Sequence, residues 1–325
     1  MKPKFNVLIT DAHHKNFNEE KKVLKEIGAK VHIGYCKNEE ELLKTNPDMD
    51  ALLVSYVNIG KKAIKHFSKC KVIVKYAVGV DNVDVATATK HKIFVANVPD
   101  YCTEEVSTHA MTLLLTLARK VLIFDKSVKN GIWNPLIADP IYRIQGKTFG
   151  IIGFGRNGRR LAEKIYPFKV NIIASDPTVK TAEMAYYGVK KVSLDFLFKK
   201  SDYISIHCPL NESTHHLINK KTIDIMKPNV FLVNTSRGSV INQSDLYDAL
   251  SNGKFSGIAL DVMEKEPPEQ KDILKMNNVI YTPHVSWHSE EAETTLRKLS
   301  ALEVKRVLMG GQPLNLINKE ILSNL

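Results

Sequence analysis

Three short stretches hold the side chains best suited to chemistry. NTSRG (234–238) places Arg237 just past the apolar run FLVN. ALDVMEKEPP (259–268) carries Asp261 at a strand end and Glu266 before two prolines. TPHVSWHS (282–289) carries His284 directly after the strand-like run NVIY. An arginine offers a planar, permanently charged fork that grips a carboxylate at two points, where lysine would be a poor substitute. A histidine titrates near neutrality and can hand a proton to an oxygen gathering negative charge. A carboxylate on the far ring nitrogen would fix the tautomer and favour the charged ring. Together these types suit hydride transfer to the carbonyl of a 2-oxoacid. Their spacing does not join them, so the fold has to.

A hydride needs a carrier, and a fourth stretch describes its holder. The strand TFGII (148–152) runs into GFGRNG (153–158), and a helical pattern, RRLAEKI, follows. Each glycine has a use there. Gly153 allows the tight turn, Gly155 lets the backbone approach a pyrophosphate, and Gly158 lets helix and strand pack closely. The free N–H groups at the helix start face the phosphates. Arg156 adds a charge, and Asn157 stands beside it. The next strand, VNIIAS, ends at Asp176, where an acid accepts hydrogen bonds from the adenosine ribose and repels a 2′-phosphate. The cofactor expected is therefore NAD rather than NADP.

The elements that position these residues read as α/β throughout. NVLIT, KVHIGY, ALLVS, VIVKYAV and IFVANV form a first series of strands, with helical patterns between them such as 18–27. TFGIIG, VNIIAS, DYISIH, VFLVNT, GIALDV and NVIYTP form a second. Alternation of this kind predicts two Rossmann-like, doubly wound parallel-sheet domains with an active-site cleft between them. Ligands bind beyond the carboxyl ends of such strands, and the three reactive stretches all sit at strand ends. Thr103 with Glu104 and Glu105 marks a helix start. Apolar residues at Val106, Ala110, Leu113, Leu117 and Val121 extend the spacing to about residue 128. This predicts a single helix on the order of 40 Å, long enough to lean across two domains. A second amphipathic helix over 289–309 returns to the first domain. The expected division is 1–101 plus 290–325 as a discontinuous substrate domain, and 102–289 as the NAD-binding domain.

Composition limits the alternatives. Apolar content of 44% and charged content of 25% are those of a water-soluble globular chain. The N-terminal apolar stretch is a first strand that ends at Asp11, not a signal peptide. AMTLLLTLA (110–118) is too short to cross a bilayer. A cytoplasmic protein without membrane contact is expected. Cys36, Cys70, Cys102 and Cys208 lack CxxC spacing, which predicts free thiols and neither disulfide nor metal site. The net charge of +11 comes from scattered lysines, so nucleic acid is not an expected partner.

The chain resembles the D-isomer-specific 2-hydroxyacid dehydrogenases from about Val54 to Leu308. The matching pieces are KYAVGVDNVD, VPDYCTEEVSTHAMTLLLTLAR, GKTFGIIGFGRNGRRLAE, HCPLNESTHHLIN, MKPNVFLVNTSRGSVIN, ALDVMEKEPP and TPHVSWHSEEA, in that order. The last of these, with DYCTEEVSTHA, resembles most the branch of C-terminal binding proteins and their phosphoglycerate dehydrogenase-like relatives. The resemblance implies that Arg237 binds the substrate carboxylate, His284 is the acid/base and Glu266 its partner. It places Val78, Cys208, Pro209, Thr235 and Ser236 along the cofactor, with Asp261 at the nicotinamide carboxamide. Val78 and Gly79 would offer N–H groups to the substrate, and Trp287 would wall the pocket. His288 is assigned no chemistry, and His207 is assigned the shaping of its loop. The first-domain strand end with Tyr56 and Asn58 is expected to face the same cleft, with Tyr56 at the substrate; it holds no arginine, which speaks against a phosphorylated substrate. The family often has arginine where Lys75 stands, glycine where Ala77 stands and an apolar residue where Asn157 stands.

The expected activity is NADH-dependent reduction of a small 2-oxoacid. A homodimer is expected from the family, with a segment like NGIWNPLIADP (130–140) embracing the partner. Only a short tail follows the closing helix, so no attached regulatory module is expected. The alternative is a dinucleotide-responsive binding protein or corepressor on the same scaffold, motivated by the C-terminal binding protein likeness and the +11 charge.

Overall fold

The structure is a computed structural model that describes residues 4–11, 16–268, 274, 276 and 278–324. The chain divides into two compact units. Residues 1–102 and 289–325 form the first, and Thr103–His288 form the second.

The first unit runs β1 (Phe5–Ile9), α1 (Asn18–Lys25), β2 (Ala29–Ile33), α2 (Glu39–Leu42), β3 (Ala51–Val54), α3 (Lys61–His66), β4 (Val72–Lys75), α4 (Val85–Lys90) and β5 (Phe94–Ala96). Its sheet is parallel in the order β2-β1-β3-β4-β5, the doubly wound order in which β1 and β3 flank the switch point. ALLV and VIVK are buried along their whole length, as strands covered on both faces must be.

The second unit begins with α5 (Thr103–Ala118) and α6 (Val121–Lys129). It continues through β6 (Thr148–Ile152), α7 (Arg156–Ile165), β7 (Asn171–Ser175), α8 (Thr181–Tyr186), β8 (Lys190–Lys191), α9 (Leu194–Lys200) and β9 (Tyr203–Ile206). α10 (Lys220–Asp224), β10 (Val230–Asn234), α11 (Gln243–Ser251), β11 (Phe255–Leu260) and β12 (Val279–Tyr281) complete it. All pairs in its seven-stranded sheet are parallel, in the order β12-β11-β10-β9-β6-β7-β8. β8 is a two-residue edge strand that the sequence pattern did not reveal. Side-chain alternation along β10 splits the core. Phe231 and Val233 join one apolar cluster with Leu117 and Leu161, while Val230 and Leu232 join the other with Leu197 and Leu246. Each such side chain contributes about 1.5–3 kcal/mol on burial.

The single long helix expected over 103–128 is two helices. α5 and α6 meet at a 61° bend. Lys120 breaks the run in left-handed backbone at φ +52, with its Nζ donating to the Ala138 carbonyl at 2.6 Å. The apolar spacing continues past the break, but its burial does not: Leu117 is buried and Val121 is 49% exposed. Both helices belong to the second unit. The chain then returns to the first unit as α12 (Glu290–Leu308), which packs on α1, β3 and β4. Ser289 caps it by accepting from Ala292 N at 2.9 Å. No single helix among the described residues is long and apolar enough to cross a membrane.

Candidate active site

The glycine loop occupies the switch point of the second sheet, where β6 neighbours both β7 and β9. Gly153 has φ +87, and a Cβ there would meet Cys208 N at 2.5 Å. The loops after β6 and β9 therefore touch, which only glycine permits. At Gly155, the residue before α7, an added Cβ meets no atom within 4 Å, so backbone faces open space. At Gly158 it would strike the Gly153 carbonyl, so that glycine brings helix and loop together. Arg156 and Asn157 occupy the first turn of α7, and Arg156 is exposed. The Asp176 carboxylate ends β7 and accepts from Phe154 N at 2.8 Å, which ties it to the loop. Its other oxygen accepts from Thr178 N at 2.8 Å and Val179 N at 3.2 Å. Burial pushes the Asp176 carboxyl up, but these N–H donors outweigh it and hold the group below its ordinary range.

Beyond β9, His207 Nε2 lies 2.8 Å from Ser205 Oγ, and its Nδ1 is buried without a partner. Burial lowers this ring to about 4, so it is neutral at physiological pH. Burial also raises the neighbouring Cys208 thiol to about 11, leaving it a protonated wall residue. Pro209 continues the same loop and its carbonyl accepts from Thr214 Oγ1 at 2.6 Å.

The three reactive stretches follow adjacent strands. Register places Asn234 of β10 beside Leu260 of β11, and Leu260 beside Tyr281 of β12. The turns after these strands consequently emerge side by side. Asn234 organises the first turn: its Oδ1 accepts from Ser236 N at 3.0 Å and its Nδ2 donates to the Arg237 carbonyl at 3.0 Å. Arg237 Nη1 in turn donates to the Ser236 carbonyl at 2.8 Å. The Thr235 hydroxyl beside it is buried with no partner. Gly238 lies against Met263, where any Cβ would overlap backbone, so the first and second turns are in contact.

Glu266 is gripped on both oxygens. Oε1 accepts from Met263 N at 3.0 Å, and Oε2 lies 2.7 Å from His284 Nδ1. Burial pushes its carboxyl up, but the His284 ring and the Met263 N–H outweigh it, and it sits below the usual carboxylate range. His284 adopts left-handed backbone, φ +52. Its N–H donates to the Asp261 carbonyl at 2.8 Å, and its own carbonyl accepts from Trp287 Nε1 at 3.0 Å. The Trp287 ring also packs edge-on against His288. Asp261 is fully buried. Its oxygens accept from Thr282 Oγ1 at 2.5 Å, Val285 N at 2.9 Å and Ser286 N at 3.0 Å. Asp261 thus binds the His284 turn.

Tyr56, Val78 and Gly79 belong to the first unit, at the carboxyl end of its sheet. The Asp11 carboxylate links the β1 and β3 ends by accepting from Ser55 N at 2.9 Å, Val57 N at 3.0 Å and Tyr56 N. Tyr56 is 66% exposed, with Lys75 Nζ 5.7 Å from its ring centre. Asn97 Nδ2 donates to the Val78 carbonyl at 2.5 Å.

A glycine cradle with open backbone, a carboxylate at the next strand end and a buried unpaired hydroxyl past β10 fit a dinucleotide. Comparison with known proteins gives the family. Residues 111–286 match the family described as D-isomer specific 2-hydroxyacid dehydrogenase, NAD binding domain. The chain belongs to the D-isomer-specific 2-hydroxyacid dehydrogenases. It is 37% identical to a glyoxylate reductase of Thermococcus litoralis over 87% of this chain and 88% of that protein. A D-3-phosphoglycerate dehydrogenase of Methanocaldococcus jannaschii is 37% identical over 96% of this chain, which spans 59% of that protein. The D-lactate dehydrogenase of Aquifex aeolicus, solved with NAD and lactic acid, superposes with a TM-score of 0.83. It is 29% identical, with 98% of each chain covered. This dehydrogenase is an NAD-dependent oxidoreductase acting on the CH–OH group of 2-hydroxy acids.

Sequence reasoning missed two residues that shape the dehydrogenase's turns. Asn234 and Asp11 gave only weak signals: polar residues at or near the end of an apolar run. A polar residue buried at a strand end needs partners from neighbouring turns, and that was the usable clue.

Proposed function

We propose that this dehydrogenase reduces a small, unphosphorylated 2-oxoacid of the glyoxylate or hydroxypyruvate type to the corresponding 2-hydroxy acid, the D isomer where the product is chiral. The observation that carries the reading is the 2.7 Å contact between His284 Nδ1 and Glu266, at the sheet end where Arg237 also emerges. Bound NADH supplies the hydride to the carbonyl carbon. With Nδ1 directed at Glu266, Nε2 of the protonated His284 ring is the free donor, and its proton goes to the carbonyl oxygen. The ring is left neutral with Nδ1–H still on Glu266, which is ionised at neutral pH. Arg237 directs its guanidinium to the substrate carboxylate. Trp287 ties its indole N–H to the His284 carbonyl and offers its ring to a compact side chain. On the cofactor side, Gly153, Gly155, Gly158 and the first turn of α7 take the pyrophosphate. Asp176 takes the adenosine ribose, and Cys208, Pro209, Thr235 and Ser236 line the remainder.

The relatives named for reductase and dehydrogenase activity favour catalysis over a corepressor role. The same reading includes a homodimer. Its support is an exposed apolar set in one segment, with Val121, Leu122, Ile132, Leu136 and Trp133, the last 87% exposed.

The test is NADH and NADPH oxidation across a panel of 2-oxoacids, for the parent enzyme and His284→Ala. Turnover of glyoxylate-size acids with NADH, abolished in the variant while NADH still binds, is expected. Near-normal turnover in His284→Ala would refute the assignment.

A further inference from the structure

We propose that His109 is a positioning residue for His284, acting through Thr282 and Asp261. His109 lies on α5, far from the reactive turns in sequence, and its side chain is 23% exposed. Its Nε2 stands 3.1 Å from Thr282 Oγ1 and 3.7 Å from Asp261 Oδ1. The second distance is too long for a hydrogen bond, so Thr282 is the partner.

The proton positions follow from counting donors. A threonine hydroxyl has one proton. Thr282 Oγ1 lies 2.5 Å from Asp261 Oδ1, and a carboxylate only accepts, so the hydroxyl proton points there. Thr282 must then accept from His109, which places a proton on Nε2 of that ring. Asp261 in turn accepts from the N–H groups of Val285 and Ser286, and its carbonyl accepts from His284 N. One directed chain thus runs from α5 to the turn that carries His284. That turn needs holding: His284 is a non-glycine residue at φ +52, a conformation that persists only where its surroundings over-determine it. Removing the His109 donor frees Thr282 to rotate, loosens Asp261, and lets the His284 ring drift from Glu266. Small misplacements of a proton donor lower the rate of the chemical step more than they lower binding.

This rests on the reading of His284 as the acid, so the test has one arm without turnover. In ¹⁵N-histidine NMR of the full-length protein, His109 is expected as the Nε2–H tautomer, and His284 as Nδ1-protonated in the parent enzyme. In Thr282→Val, the His109 signal should change and His284 should lose its fixed tautomer. An Nδ1–H tautomer at His109 overturns the proposal whatever the enzyme's activity. In the kinetic arm, His109→Leu and Thr282→Val should each lower kcat at least tenfold with KM for NADH within twofold. The double variant should be no slower than either single. His109→Gln, which keeps an N–H donor at similar reach, should recover most of the loss. Unchanged kcat in Thr282→Val, multiplying losses in the double variant, or no recovery with Gln would each overturn it. Loss of the acid role itself would show as retained turnover in His284→Ala, with the NMR result unaffected.

Discussion

Gly238 lies so close to Met263 that a single added carbon at its Cα would overlap the Met263 carbonyl. The contact bears on catalysis because the Met263 N–H holds Oε1 of Glu266, whose other oxygen meets His284. Gly238→Ala has to displace the 263–264 backbone and with it the carboxylate. Overpacking of this kind costs about 1–3 kcal/mol. Lower thermal stability and a fall in kcat of roughly tenfold or more are expected, with NADH affinity little changed. Calorimetry beside steady-state kinetics checks both.

Asp176 ties β7 to the glycine loop through Phe154 N, and the proposed reading gives it the cofactor choice. Asp176→Ala should raise the ratio of NADPH to NADH use by about tenfold or more as the repulsion of a 2′-phosphate disappears. Its folded carboxyl is held below the ordinary value, so its contribution to stability is present above the unfolded value of about 4 and is lost as pH falls through the folded value. Kinetics with both cofactors and acid unfolding of the two proteins read out the two effects.

His207 gives a second pH effect, in a different window. Burial lowers the folded ring to about 4 from an ordinary 6.5. Between these values the unfolded chain takes up a proton that the folded chain does not. Stability present above about pH 6.5 is therefore lost as pH falls, by up to about 3 kcal/mol near pH 4. Urea unfolding at pH 7 and 5 should show this slope, reduced in His207→Asn. Equal slopes would remove His207 as its source.

Trp133 is the most exposed large apolar side chain in the chain's 121–142 segment. If a second copy covers this segment, Trp133→Glu with Leu136→Glu should convert dimers to monomers in sedimentation velocity. A monomeric parent enzyme would remove the homodimer from the reading.

The sequence by itself determined the parts that are local. Glycines at 153, 155 and 158 between a strand and a helix define a phosphate loop, because turn geometry and helix N–H groups are properties of neighbouring residues. Alternating β-branched and amphipathic runs likewise gave the strands, apart from the two-residue β8, which is too short to have a period. The apolar spacing over 103–128 misled, because periodicity does not register burial. The pattern passes through Lys120, but the core it would pack on ends there.

Tertiary structure decided what long-range proton donors do. Nothing near Asp261 in the chain says that it will hold the His284 turn. Its partners, Thr282, Val285 and Ser286, come from a turn that strand order alone brings beside it. The same holds for His109, whose partners Thr282 and Asp261 lie 152 or more residues away. A buried polar group is satisfied by whatever the sheet register places next to it. That register is a property of the whole fold, which no short stretch of sequence contains.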